Sequence, residues 1–325
     1  MIWKDKKIKM EKVIREKISK LTEKCIALEK DIFCENGDIK EQYQETVIDK
    51  YLELFTEFEK EISTHELEIC VDKGKESIKK LYIIYYVLDE WIFGQLNLNI
   101  ATNPSWKAEA EVRLYMMYLK TFRESLFLLA NGFSDCALAR TRTLYELGVC
   151  ISILNKNSDD LAERFCKYCN VQSLKIAKAT SLEEKASNIR EYIRGFNYED
   201  GYEKENGWAR TLFPNIKDKS SVQFHDLAGL TVYKNHHSMY KIACNFVHGS
   251  LFSSLESLDS AKDQRGKNFW NTSPSNEGID EVILFLKSYI IVFVMEYANT
   301  LGEKTILEKM LMIFLFGREA LGSEN

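Results

Sequence analysis

Ile14-Arg15-Glu16-Lys17-Ile18-Ser19-Lys20-Leu21-Thr22-Glu23-Lys24-Cys25-Ile26-Ala27-Leu28-Glu29-Lys30-Asp31-Ile32 decides the fold class. Ile14, Ile18, Leu21, Cys25, Leu28 and Ile32 recur at spacings of four and three. An α-helix turns about 100° per residue, so this spacing lays one apolar stripe along one face and leaves Lys and Glu on the others. The pattern predicts one helix over residues 6–35, packed against the next helix of the same chain, with Asn36-Gly37-Asp38 as the turn.

The same periodicity continues along the chain. A second helix is expected over 39–64, with Tyr43, Val47, Tyr51, Leu54, Phe55 and Phe58 on its apolar side. A third, over 66–96, ends in an aromatic stripe of Tyr82, Tyr85, Tyr86, Trp91 and Phe93, a pattern that usually belongs to a core. Asn103-Pro104 suits a helix start, and Asn131-Gly132 a stop, for a fourth helix ending at Ala130. Ser134 is read as the cap of a helix over 135–155, Ser158-Asp159 as the start of 159–178, and Ser181-Leu182-Glu183-Glu184 as a capping box opening 182–195. Residues 195–221 read as an irregular insert, followed by helices over 222–230 and 232–249, a polar loop over 256–276, and helices over 278–300 and 303–319. No sustained alternation of β-branched residues occurs, so the expectation is an all-α, multi-helix bundle without a sheet. A soft boundary near 97–106 separates an N-terminal helical region, 1–100, from a helical core domain, 101–325.

Composition agrees with a globular chain: 45% hydrophobic and 29% charged residues, with only 3 Pro and 15 Gly in 325 residues to interrupt helices. A net charge of −5 gives no overall electrostatic footprint for nucleic acid or an anionic membrane. Val282–Ala298 is the most apolar stretch, but Lys287 interrupts it and Glu296 ends it, which favours a buried helix over a membrane span. The charged start Lys4-Asp5-Lys6-Lys7 is unlike a secretory signal, so a cytoplasmic location with eight reduced cysteines is expected.

Three groupings carry chemistry. Arg142 and Glu146, four apart in Arg140-Thr141-Arg142-Thr143-Leu144-Tyr145-Glu146, share a helix face; Arg140 lies about 160° from Arg142 and points elsewhere. This pair reads either as a surface ion pair or as a charged pair set between helices. Asn245 and His248, three apart, share a face ahead of Gly249, where a helix end favours a protonated ring. His248 there is either a general acid or base or a cap on carbonyls. Cys166-Lys167-Tyr168-Cys169 lacks a second ligand pair at a zinc-site distance, so no metal and no cofactor is expected.

Ala139-Arg140-Thr141-Arg142-Thr143-Leu144-Tyr145-Glu146, followed by Ala162-Glu163-Arg164-Phe165…Tyr168 and by Tyr240…Asn245-Phe246-Val247-His248-Gly249-Ser250, resembles a bacterial family known as domain of unknown function 5677, over roughly 105–300. That resemblance implies a helical bundle and no assigned activity. Asn245-Phe246-Val247-His248-Gly249 also resembles the end of the HEPN ribonuclease helix. That second likeness implies a HEPN-like helical core and metal-independent RNA cleavage at a dimer interface, often in phage defence or toxin systems. The positions that would supply the HEPN arginine hold Ile242, Ala243 and Cys244, so Arg140 or Arg142 would have to supply the cation from the neighbouring helix.

The candidate catalytic set is therefore His248, Asn245, Arg142, Glu146 and Arg140. Three functions stay open: an RNA-acting HEPN-like component, a non-catalytic scaffold or sensor, and a small-molecule or nucleotide binder using the aromatic interior. The partner classes are RNA or a protein held by the N-terminal helices, with a homodimer as one arrangement and no membrane.

Overall fold

The computed structural model describes residues 2–32, 34, 39–102, 104–199, 201–215, 221–247, 274–301, 311 and 314–317. Eleven long or short α-helices are seen among them: α1 (Ile2–Ile32), α2 (Val47–Glu61), α3 (Lys75–Thr102), α4 (Trp106–Ala130), α5 (Ser134–Lys156), α6 (Asp159–Lys167), α7 (Cys169–Ala179), α8 (Glu183–Arg194), α9 (Phe224–Gly229), α10 (His237–Val247) and α11 (Ile279–Leu301). No β-strand occurs among the described residues, so the fold is all-α as the periodicity predicts. No helix among them is long and apolar enough to cross a membrane.

Several boundaries move for local reasons. The helix expected from 39 starts only at Val47, after a short 3-10 turn at Glu41–Tyr43. The helix expected from 66 starts at Lys75, because residues 62–74 form a loop in which Glu68 takes φ +54°. The single helix expected over 159–178 divides at Tyr168, whose amide bonds the carbonyls of both Arg164 and Phe165. Two cap readings are corrected. Ser134 does not cap α5; its hydroxyl donates to the Glu277 carbonyl. Ser181 does not begin α8 either, since it takes φ +55° and Leu182 precedes the helix without a side-chain cap. Ser105, just after Pro104, caps α4 through its bond from the Ala108 amide at 3.1 Å. The expected helix over 303–319 falls mostly outside the described residues.

The chain forms two compact units that interleave along the sequence. Met1–Gln95, Met117–Glu146 and Ser238–Asn325 make the first; Leu96–Met116 and Leu147–His237 make the second. In the first, Ile14, Ile18 and Leu21 of α1 are buried, and so are Val47, Tyr51, Phe55 and Phe58 of α2. Helix α11 buries one long face: Leu286, Tyr289, Ile290 and Phe293 have no exposure, as expected for the buried helix its composition predicts. Tyr118 of α4 stacks on Phe293, ring centroids 4.0 Å apart, and donates its hydroxyl to the Tyr289 carbonyl at 2.9 Å.

The second unit is organised by Arg164 of α6, which is 7% exposed. Its guanidinium donates to the Trp208 carbonyl at 3.0 Å and the Gly207 carbonyl at 3.3 Å, and forks onto both Glu199 carboxylate oxygens. Tyr198 and Tyr202 stack against it, with ring centroids 4.6 and 5.3 Å away. The insert after α8 is thus folded over one cation, and the stretch Gly207–Leu212 winds as a 3-10 helix beside it. Burial disfavours charge on Glu199, but the hydrogen bond and charge of Arg164 prevail and hold its carboxyl below the ordinary 4.5.

A guanidinium fork that satisfies two carbonyls and a carboxylate cannot be replaced by water at a buried site. Arg164→Ala is expected to cost about 2–4 kcal/mol, and Arg164→Lys to recover only part, since an ammonium lacks the fork. Because the folded Glu199 pKa is lowered, its share of stability is present above about pH 4.5 and is lost as pH falls through the folded value. Urea unfolding of wild type and Arg164→Ala at pH 7 and pH 3 should show the gap between them narrowing at the lower pH.

Candidate functional site

Tyr145 of α5 carries no exposed surface. Its ring stacks on Tyr240 of α10, centroids 4.7 Å apart and planes 25° apart, and lies 5.9 Å from the ring of Tyr289 on α11. Three helices of the first unit therefore meet on one aromatic contact. Glu146, the next residue of α5, projects beside that stack. Its Oε1 accepts from Arg142 Nε at 2.9 Å and from the Tyr240 hydroxyl at 3.1 Å. The Arg142 guanidinium also lies over the Tyr240 ring, 5.8 Å from its centroid. An i,i+4 pair on one helix is thus joined across to a second helix by a phenol.

The seam is not closed to water. The Arg142 and Glu146 side chains keep 24% and 35% of their surface. Burial disfavours charge on Arg142, but the hydrogen bond and charge of Glu146 outweigh it and keep the guanidinium charged. Burial pushes the Tyr145 phenol up to about 12. The Tyr240 phenol is raised too, first by burial and then by the Glu146 charge. Both phenols are therefore neutral donors at physiological pH, and neither can serve as a base there.

Of the other expected site residues, Arg140 is the one seen to leave this contact. Arg140 turns away, as the helical wheel requires, and its Nε lies 3.4 Å from Glu124 of α4. Asn245 sits on α10, exposed to solvent. His248 and Gly249 lie outside the described residues. Among the described residues no group of three or more His, Cys, Asp and Glu could hold a metal ion. Tyr240 is the member that sequence reading left without a role; it stood at the head of the quoted motif, but an aromatic at helical spacing reads as core.

Residues 109–266 match the model of a family described as Family of unknown function (DUF5677). The match begins at the second turn of α4 and runs through α5 and α10, so it contains Arg142, Glu146 and Tyr240. No curated protein matches the chain, and no solved structure does.

Removing Glu146 strips Arg142 and Tyr240 of a shared acceptor at a site that water reaches. Glu146→Ala is expected to cost about 1 kcal/mol, below the figure for a fully buried pair, and to lower Tm by about 2 °C in a chain of this size. Differential scanning calorimetry checks it; an unchanged Tm would show that the carboxylate does not join the helices.

Proposed function

We propose, from the match of residues 109–266 to a helical family of unknown function, that this protein acts on RNA without a metal, in the manner of HEPN-like proteins, through the α5–α10 seam. The observation that supports this reading is the guanidinium that α5 delivers to α10. The HEPN likeness of α10 lacks its arginine, and Arg142 lies against Tyr240 of α10 from the neighbouring helix. Arg140, the other donor considered, is directed to Glu124 and has no part in the seam.

Charge favours the same face of the sequence. Residues 232–247 include Lys234 and Lys241 and no acidic residue, in a chain with a net charge of −5, while burial lowers the His236 pKa and disfavours its charge. A phosphodiester would meet its positive stretch there. Cleavage without a metal needs a proton shuttle and a cation beside the scissile phosphate. His248 is the shuttle in this reading, Arg142 steadies charge on the phosphate, Glu146 and Tyr240 aim the guanidinium, and Asn245 orients the phosphate or the imidazole.

A second reading is favoured by one observation. Glu146 already accepts from both Arg142 and Tyr240, which neutralises the guanidinium inside the seam. A clamp that holds two helices together is what a non-catalytic scaffold needs, and on that reading the protein binds a partner instead.

Incubation with total RNA separates the two. Wild type is expected to cleave RNA equally with and without EDTA. His248→Ala and Arg142→Ala are expected to lose at least about a hundredfold in rate, the usual worth of a general acid–base or oxyanion donor, while Tyr240→Phe keeps most of it. Cleavage that survives His248→Ala, or that EDTA abolishes, contradicts the mechanism. Folded wild type with no cleavage selects the scaffold reading.

A further inference from the structure

The first unit carries a cleft of about 400 Å³, separate from the seam. Ile14 of α1, the 66–68 loop, Tyr82 and Tyr86 of α3, Arg123, Glu124, Phe127 and Leu128 of α4 and Arg140 of α5 line it. That volume lies in the range of small-ligand pockets.

Its polar groups fall into two sets. Glu66 is engaged internally: Oε1 accepts from Lys17 at 2.8 Å and Oε2 from the Ser63 amide at 2.7 Å. Glu124 is paired with Arg140. Glu68 differs, since its carboxylate has no hydrogen bond or ion pair among the described residues. It is also held at φ +54°, a conformation that costs energy for a side chain other than Gly and that concentrates at functional sites.

Tyr82 and Tyr86 supply the second observation. Each is only 6% exposed, and among the described residues neither hydroxyl has a hydrogen-bond partner. Neither hydroxyl oxygen is fully buried, so each is open to solvent or to a ligand in the cleft. Their rings lie 6.5 Å apart with planes at 25°, so the two form a continuous floor.

Burial raises both phenols and the Glu68 charge raises them further, while Tyr86 also meets Arg15, which lowers it, and Asp89. The cleft lining therefore carries both signs of charge: Glu68 with the two phenols, and Arg123 with Arg140. Arg123 is anchored over the Tyr85 ring at 5.7 Å. Leu67, Leu128 and Phe127 line the cleft with them, the last 49% exposed at the mouth.

We propose that this cleft binds a small amphoteric organic molecule of the amino-acid type. Glu68 and the phenol oxygens of Tyr82 and Tyr86 accept from its ammonium group, the guanidinium groups of Arg123 and Arg140 donate to its carboxylate, and Phe127 with Leu67 and Leu128 covers its apolar side chain. The inference does not depend on the RNA reading, because none of these residues belongs to the seam.

Titration calorimetry on the full chain tests it with four probes: leucine, phenylalanine, leucinamide and N-acetyl-leucine. The free amino acids should bind, and each blocked leucine should bind at least about tenfold more weakly, the effect of one lost charge-assisted hydrogen bond. Glu68→Gln should lose about tenfold for leucine and cease to discriminate against N-acetyl-leucine. Arg123→Gln should lose a similar factor and cease to discriminate against leucinamide. If either variant fails to fold by circular dichroism, Tyr82→Phe, which deletes one hydroxyl, must still weaken leucine. The proposal is overturned if neither free amino acid binds the wild type, if both blocked leucines bind as well as leucine, or if the variants leave leucine binding unchanged.

Discussion

The stack of Tyr145 on Tyr240 is the contact on which the seam depends. Helix α10 has one fully buried residue among those described, Ala243, and Tyr240 adds an aromatic contact to it. Two aromatic rings at 4.7 Å fix both the height and the rotation of α10 against α5. Only with that register does the Tyr240 hydroxyl, at the far edge of the stacked ring, reach Glu146. Glu146 in turn lies one helical turn from Arg142, so the stack decides where the guanidinium is held. Arg142 is thereby placed by packing, through a carboxylate, together with its own contact over the Tyr240 ring.

Arginine takes three forms in this chain, and environment distinguishes them. Arg164 is nearly inaccessible and spends its donors on backbone carbonyls and one carboxylate, so it acts as the polar nucleus of the insert. Arg142 shares the Glu146 acceptor with a phenol and keeps about a quarter of its side-chain surface open to water. Arg123 and Arg140 edge a cleft, where aromatic rings and a carboxylate from α4 hold them in place. Burial and the number of satisfied donors, more than charge, separate a fold-forming arginine from a ligand-facing one.

Much of the architecture was legible because helical periodicity is local. Ile14, Ile18 and Leu21 mark a buried face within eight residues, and Val47 to Phe58 mark another. The Arg142–Glu146 pair and the divergence of Arg140 followed from 100° per residue alone. What failed was anything settled by distant neighbours. Ser134 looked like a cap, yet a carbonyl 143 residues away takes its hydroxyl. Arg164 stood in a quoted motif without a role, because its partners lie 35 to 44 residues later in a segment with no pattern. Tyr82 and Tyr86 read correctly as interior, but their unpartnered hydroxyls and the left-handed Glu68 are tertiary facts that no spacing reveals.

The claim that α5 and α10 are coupled through one carboxylate is tested most directly by a double-mutant cycle. Glu146→Ala, Tyr240→Phe and the double variant should be unfolded in urea alongside the wild type. The geometry predicts that the two changes are not additive, with a coupling energy of about 0.5–1.5 kcal/mol, since each single variant breaks the same 3.1 Å bond. Additivity to within about 0.3 kcal/mol would show that the phenol and the carboxylate do not act together, and that Arg142 is not held against α10 in the way described.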